Sequence, residues 1–280
     1  MKKIFVTGGH YTPAAAVISE LVKRDDWEVF YIGKKHSFEG DEALSYEYIE
    51  LKDNSRVRFL NITTGRLQPK FSQNISQSIL SLIKIPVGFC QAFFWLIKNN
   101  PDIILSFGGY IALPVVVAGW TLGIPVVTHE QTKVFGLANK IIQIFSSRIC
   151  VSFRSTLPVD NTGKWVLTGN PIREETYLIK DTAATRNLRS LKKSLKLPLI
   201  YVTGGKQGSH AINEEILKNL KELVKNYLVI IQTGDNQQFS DFQRFVDAKN
   251  ALDKDLQKRL LVAKFFQKTR PISCSALLED

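Results

Sequence analysis

The sequence predicts an α/β protein made of two similar domains, each starting a parallel sheet of its own. Three observations lead there. The tetrapeptide Val-Thr-Gly-Gly occurs twice, at residues 6–9 and 202–205, each time after a short apolar strand and before an amphipathic helix. Short β-branched and aromatic runs alternate with helical stretches along most of the chain. Residues 101–140 read as strand, glycine turn, buried helix, strand and polar loop. A chain of 280 residues, 44% hydrophobic and 10% aromatic, has room for about two ordinary domains with a core in each.

In chain order, residues 3–6 form an apolar strand, and Thr7-Gly8-Gly9-His10 turns into a helix over 12–24 with Val17, Ile18, Leu21 and Val22 at helical spacing. Glycines there let the backbone approach a ligand, and the helix N-terminus suits a phosphate or a developing oxyanion. The same pair also serves a plain tight turn. The dinucleotide fingerprint does not fit, because Tyr11, Thr12, Pro13 and Ala14 stand where its later glycines belong. The next strand, 27–32, ends in Gly33-Lys34-Lys35 with no acid for a ribose hydroxyl. The two lysines read as a solvated loop. A strand follows at 56–62.

Ile79 to Lys98 is strongly apolar, with Phe89, Phe93, Phe94 and Trp95 beside Lys84 and Lys98. Two readings stay open: a core helix packed on the sheet, and an amphipathic surface lying on anionic lipid. Both hold if each face does one job. The charge-free run 103–128 has the length of a membrane span, but Gly108-Gly109, Pro114, Gly119, Gly123 and Pro125 would break such a helix repeatedly. They fall where a strand-helix-strand unit needs turns. Its strands, 103–107 and 125–128, deliver Gly108-Gly109 and His129-Glu130-Gln131 at their carboxyl ends, where open parallel sheets bind ligands.

Further strands are expected at 148–153 and 165–168, and the domain boundary near Gly169-Asn170-Pro171-Ile172-Arg173, giving domains 1–172 and 173–280. A charged, low-apolar segment over 173–197 leads into the second domain. There a strand into Val202-Thr203-Gly204-Gly205-Lys206 precedes a helix over 209–227 with Ile212, Ile216, Leu217, Leu220 and Val224 on one face; strands at 227–232 and 259–265 follow.

The net charge of +11 and pI near 9.5 point to anionic partners: nucleic acid, anionic lipid or phosphorylated small molecules. No nucleic-acid signature accompanies the charge and the lysines are dispersed, so nucleic acid is not expected. Cys90, Cys150 and Cys274 are far apart, which fits free thiols in a reducing compartment. The N-terminus MKKIFVTGGH carries no secretory leader, and the expected compartment is the cytoplasm.

Taken together, TGGHYTP, SFGGYIALP, GIPVVTHEQ, GLANK, GNPIR and GGKQGSHAIN stand in an order and spacing that closely resembles the MurG family, the N-acetylglucosaminyltransferases of glycosyltransferase family 28. The resemblance runs from the first strand to about residue 266. It implies two Rossmann-like domains facing a cleft (GT-B type), a lipid-linked acceptor on the first and UDP-N-acetylglucosamine mainly on the second. The implied reaction is inverting, metal-independent and cofactor-free. It transfers the sugar to the 4-hydroxyl of an undecaprenyl-diphosphate-linked muramoyl-peptide during peptidoglycan synthesis, at the cytoplasmic face of the plasma membrane, where the amphipathic reading of residues 79–98 would supply a peripheral contact.

Residue by residue, the resemblance makes His10 the general base, with Thr7, Gly8 and Gly9 around the acceptor diphosphate. It puts Tyr110, His129, Glu130, Gln131 and Asn139 at the acceptor and reaction centre. Arg173 and the loop of Gly204, Gly205, Lys206, Gln207 and Gly208 meet the donor diphosphate. The chemistry agrees: such a transfer needs a base beside the nucleophilic hydroxyl and stabilised charge on the departing diphosphate.

Several positions depart from the family pattern. Phe5 and Val6 replace two further glycines, Thr132 replaces an asparagine, and Lys206 replaces a small residue. After Phe266 the tail QKTRPISCSALLED matches nothing in the family, and the segment that grips uracil and ribose does not follow. The expectation is an incomplete second domain of the kind a frameshift or truncation produces. The alternatives are a non-catalytic acceptor-binding or membrane-docking module that depends on a second chain for donor binding, and a nucleotide-dependent oxidoreductase, which the failed fingerprint disfavours.

Overall fold

The computed structural model describes residues 1–36, 44–65, 75–159, 163–176, 183–205, 208–234 and 239–264. Lys206, Gln207 and the tail after Phe266 therefore lie outside the described residues. The chain divides into two compact units, Met1–Leu178 and Ile179–Asp280. Arg173 thus belongs with the first unit, a few residues before the division.

The first unit is a seven-stranded, wholly parallel sheet. Its strands are β1 (Lys2–Thr7), β2 (Trp27–Gly33), β3 (Val57–Asn61), β4 (Ile103–Ser106), β5 (Val126–Glu130), β6 (Arg148–Val151) and β7 (Trp165–Leu167). The order is β3-β2-β1-β4-β5-β6-β7. The chain runs outward from β1 to β3, returns to lay β4 beside β1, and runs outward the other way. That reversal opens a crevice at the carboxyl ends of β1 and β4.

Helices α1 (Tyr11–Leu21), α2 (Tyr46–Leu51), α3 (Ile75–Asn99), α4 (Ala112–Thr121) and α5 (Leu137–Phe145) cover the sheet. Alternation along each strand feeds two cores. Phe5, Phe30, Ile32 and Ile104 join Ala92, Leu96 and Val115 in one, while Ile4, Val6, Val29 and Tyr31 join Ala14 and Ile18 in the other. Each fully buried valine, leucine, isoleucine or phenylalanine among them contributes about 1.5–3 kcal/mol.

Residues 131–140, expected as a polar loop, contain the start of α5. Leu137, Ile141 and Ile142 have the helical spacing, and Gly136 precedes the first turn in extended geometry.

The apolar stretch at residues 79–98 lies in α3, which carries Pro86 inside it. Among its described side chains, Ala92 and Leu96 face the core, whereas Val87, Phe94 and Ile97 are exposed. Lys98 places its ammonium 5.5 Å from the ring centroids of both Phe94 and Trp95. Among the described residues no helix is long and apolar enough to cross a membrane.

The second unit holds a parallel sheet ordered β10-β9-β8, from β8 (Leu199–Thr203), β9 (Leu228–Gln232) and β10 (Leu260–Ala263). Its helices are α6 (Ala183–Leu195), α7 (His210–Asn226), α8 (Asp241–Asn250) and α9 (Lys254–Gln257). Val229, Ile231, Leu260 and Val262 pack on Leu220 and Val224 of α7 and Phe245 of α8. α6 falls inside the segment read as charged and low in apolar residues. Its leucines 188, 191 and 195 are half-buried while Arg186, Arg189, Lys192 and Lys193 are exposed, so the charges occupy the outer face.

Candidate active site

The two glycine turns at the ends of β1 and β4 interlock. Phe107 donates its N–H to the Thr7 carbonyl at 2.7 Å, and Gly9 donates to the Gly108 carbonyl at 2.8 Å. Gly8 has φ +152°, and a Cβ there would stand 2.8 Å from the Cβ of Phe107. Gly109 has φ +81°, with its would-be Cβ 3.1 Å from the Gly9 nitrogen. Backbone contact this close admits only glycine.

His10 follows, as the N-cap of α1. Its Nδ1 lies 3.3 Å from the Phe107 carbonyl oxygen. A carbonyl only accepts, so Nδ1 carries the proton, and Nε2 keeps a lone pair for the proton of another group. His10 is exposed and lines a cavity of about 440 Å³ with Gly9, Tyr11, Gln131, Asn170 and Arg173. Burial, then the Glu50 carboxylate, pushes the Tyr11 phenol up, so it remains a neutral hydroxyl.

Arg173 forms a two-pronged ion pair with Glu50, Nη1 to Oε1 at 2.8 Å and Nη2 to Oε2 at 3.0 Å, with its side chain 17% exposed. The pair ties the segment after β7 to α2. Sequence gives no site role to Glu50, Tyr11 or Asn170. Tyr11 and Asn170 lie within the TGGHYTP and GNPIR matches, whereas nothing local marks Glu50, whose partner is 123 positions away.

The His129-Glu130-Gln131 triplet splits. Gln131 lines the cavity with His10, but His129 and Glu130 are each 3% exposed and turn inward. His129 Nε2 donates to the Gly169 carbonyl at 2.9 Å, and its Nδ1 lies 3.2 Å from the amide nitrogen of Gln131. Both ring nitrogens are thus engaged. Glu130 accepts the Thr132 N–H at 3.0 Å on one oxygen and the Asn139 amide at 2.7 Å on the other.

Asn139 in turn sits against Gly108, where an added Cβ would fall 2.1 Å from its Oδ1. Thr7 is fully buried, its hydroxyl donating to the Ile32 carbonyl at 3.0 Å. Thr7, His129, Glu130 and Asn139 therefore hold the turns in place, while Gly9, His10 and Gln131 border open space. Tyr110 stands under the ammonium of Lys34, 4.9 Å from ring centroid to Nζ.

Burial lowers the His129 pKa, against smaller raising effects of the Gly169 carbonyl and the Glu130 charge. As the pH falls past histidine's ordinary value of about 6.5, the unfolded chain takes up a proton that the folded unit resists. Stability is complete above that value and falls as the pH drops toward the lower folded pKa. Chemical denaturation from pH 7.5 to 5 is expected to show this loss, with a shallower slope in His129→Gln; equal slopes would refute it.

In the second unit, Gly208 has φ +77°, and a Cβ there would come 2.0 Å from the Thr233 carbonyl. A Cβ on Gly204 would come 2.3 Å from the Ser209 nitrogen. Gly204 and Gly208 thus bring the chain tightly into α7, while Gly205, at φ +78°, supplies the left-handed turn between them. Behind them His210 Nδ1 lies 2.8 Å from buried Asp241, which also accepts the Asn213 amide at 2.9 Å. His210 lies within the GGKQGSHAIN match, whereas nothing local marks Asp241, 31 positions away.

Residues 7–151 match the glycosyltransferase family 28 N-terminal domain. A UDP-N-acetylglucosamine–N-acetylmuramyl-(pentapeptide) pyrophosphoryl-undecaprenol N-acetylglucosamine transferase of Bacillus anthracis is 35% identical over 239 residues, 84% of this chain and 63% of the relative. One from Clostridium botulinum is 36% identical over 233 residues, 81% of this chain and 60% of the relative. The chain therefore spans about three-fifths of these relatives.

Among solved structures, Acinetobacter baumannii MurG aligns with a TM-score of 0.57 at 23% identity, covering 96% of this chain and 68% of that one. The S. aureus MnaA-UDP structure aligns at 0.60 and 14% identity, covering 94% and 69%. These likenesses speak to fold, the Rossmann-like α/β class of GT-B type. With more than half of its length matched by the family's N-terminal domain, the chain belongs to glycosyltransferase family 28.

Proposed function

We propose that this chain serves in the transfer of N-acetylglucosamine from UDP-N-acetylglucosamine to the 4-hydroxyl of an undecaprenyl-diphosphate-linked muramoyl-peptide, with inversion. The observation that carries the reading is His10, which lines the cavity and is oriented through Nδ1 by the Phe107 carbonyl, so that its Nε2 lone pair is the one left to take a proton. In the step, Nε2 accepts the hydroxyl proton as the acceptor oxygen bonds to the sugar's anomeric carbon. The bond from that carbon to the donor phosphate breaks, and UDP departs with the electron pair.

The interlocked turns of Gly8-Gly9 and Gly108-Gly109 receive the acceptor diphosphate, with Tyr110 and Gln131 beside it. The donor diphosphate falls to the turn of Gly204, Gly205 and Gly208, with Lys206 and Gln207 in the same loop. Arg173, paired with Glu50, brings its guanidinium to the cavity beside His10 and is assigned to the donor phosphates.

The exposed face of α3, with Val87, Phe94 and Ile97 above Lys98, fits contact with an anionic membrane surface and so a peripheral place on the cytoplasmic face. A second reading is an acceptor-binding or membrane-docking module served by another chain. It is favoured by the placement of His10, the turns of Gly8-Gly9 and Gly108-Gly109 and the exposed apolar face of α3 all in the first unit.

The test titrates the purified protein with UDP-N-acetylglucosamine and with UDP, then assays transfer to the lipid-linked acceptor in anionic vesicles and in detergent. Binding with transfer is expected, and Phe94→Asp should lower transfer in vesicles but not in detergent. Neither binding nor transfer would sink the enzyme reading and leave the module reading standing.

A further inference from the structure

Arg173 lines the cavity beside His10, yet the fork of its guanidinium is already engaged. Nη1 lies 2.8 Å from Glu50 Oε1 and Nη2 lies 3.0 Å from Oε2, the same two-pronged match that a phosphate would seek. Among the described residues, none that line the cavity is acidic. Glu50, on α2, therefore supplies the compensating charge for a guanidinium whose side chain is only 17% exposed.

α2 gives that carboxylate a fixed base. The Ser45 side chain accepts the Tyr48 N–H at 3.2 Å, the Ser45 N–H donates to the Lys35 carbonyl at 2.8 Å, and Leu51 is buried in the core. Burial, then a hydrogen bond to Glu50, raises the Tyr46 phenol against smaller lowering effects of Arg173, so Tyr46 keeps the proton it donates to the carboxylate. Glu50 thus has a second partner when the arginine turns elsewhere.

A guanidinium paired in this way offers little net charge to an incoming anion. For a diphosphate to use the fork, it must displace the carboxylate or lie beside it, and either costs affinity. We infer that Glu50 is the resident counter-ion of Arg173, holding the guanidinium fork until a phosphate of the donor displaces it, and so loosening the hold on the departing UDP. The inference rests on the assignment of Arg173 to the donor phosphates above. A site that binds the diphosphate in the substrate must release the same group in the product, and a carboxylate ready to retake the fork shifts the balance toward release.

The test measures binding of UDP and of inorganic pyrophosphate to the full chain by calorimetry, for wild type, Glu50→Gln and Glu50→Asp. Glu50→Gln keeps a carbonyl for one guanidinium N–H but loses the charge. It should bind UDP about 10-fold more tightly at low salt, with a smaller gain at high salt. Glu50→Asp keeps the charge and should stay within about threefold of wild type. A crystal structure of the wild type with UDP depends on no variant folding. It should show the pair of Arg173 and Glu50 opened beyond about 4 Å, the limit of an ion pair, with a phosphate oxygen on the guanidinium.

Unchanged or weaker UDP binding by folded Glu50→Gln would overturn the inference and leave the transfer reading intact. So would equal tightening in Glu50→Asp, or a UDP complex in which the two-pronged pair persists. Tighter binding of pyrophosphate but not of UDP would take Arg173 off the donor and overturn the inference as well. Failure of wild type to bind either probe would overturn both readings.

Discussion

Replacing His10 with alanine should lower the rate of sugar transfer by about 10²–10⁴-fold, the range that a positioned general base contributes. The loss should appear in kcat with little change in the KM for either substrate, because the base acts on the proton that moves in the transition state. Fold stability should hardly move. His10 is exposed, and its 3.3 Å bond to the Phe107 carbonyl makes a net contribution of about 0.5–1.5 kcal/mol.

His10→Gln sharpens the test. Its amide can still donate to Phe107, but it offers no basic nitrogen, so it should be as inactive as alanine. Transfer within threefold of wild type in both variants would remove His10 from the chemistry.

Replacing Glu130 with alanine should destabilise the first unit by about 2–4 kcal/mol, measured by denaturant unfolding. The carboxylate is 3% exposed and accepts from Thr132 and from Asn139, which is itself 4% exposed. Without it the Asn139 amide is left buried with a lost acceptor, and a cavity opens at the end of β5. Glu130→Gln should recover only part of the loss, because its new amide either faces the donating amide of Asn139 or displaces the bond to Thr132.

Transfer should also fall in both Glu130 variants, since Asn139 is packed on Gly108 and so supports the turn that meets Gly9. A loss below about 0.5 kcal/mol in the alanine variant would show that the carboxylate does not hold the wall.

The strands and turns of the first unit were readable because their signals are local. Ile103 to Ser106 is β-branched and apolar up to a glycine pair, and glycine is what a left-handed turn in backbone contact requires. The twin Val-Thr-Gly-Gly sequences likewise each ended a first strand, β1 and β8. α5 and α6 were less legible: one begins within a stretch of polar turn residues, and the other is dominated by its charged outer face.

Within the site, the chain alone put Gly8, Gly9, His10, Gly108, Gly109 and the His129-Glu130-Gln131 triplet at strand ends, which is a matter of sequence order and turn chemistry. Only the tertiary structure decided which of them meet open space. β5 is flanked by β4 and β6 and covered by helices, so strand alternation exposes neither His129 nor Glu130, and each finds buried partners instead. The tautomer of His10 depends on a carbonyl 97 positions away, and the partner of Arg173 on a carboxylate 123 positions away. Lys34, a loop lysine by sequence, has its ammonium over a ring contributed by the turn after β4. Local sequence determines strands, turns and the residue types at their ends, whereas hydrogen-bond partners, burial and the direction of a side chain are set by segments brought together only when the sheet closes.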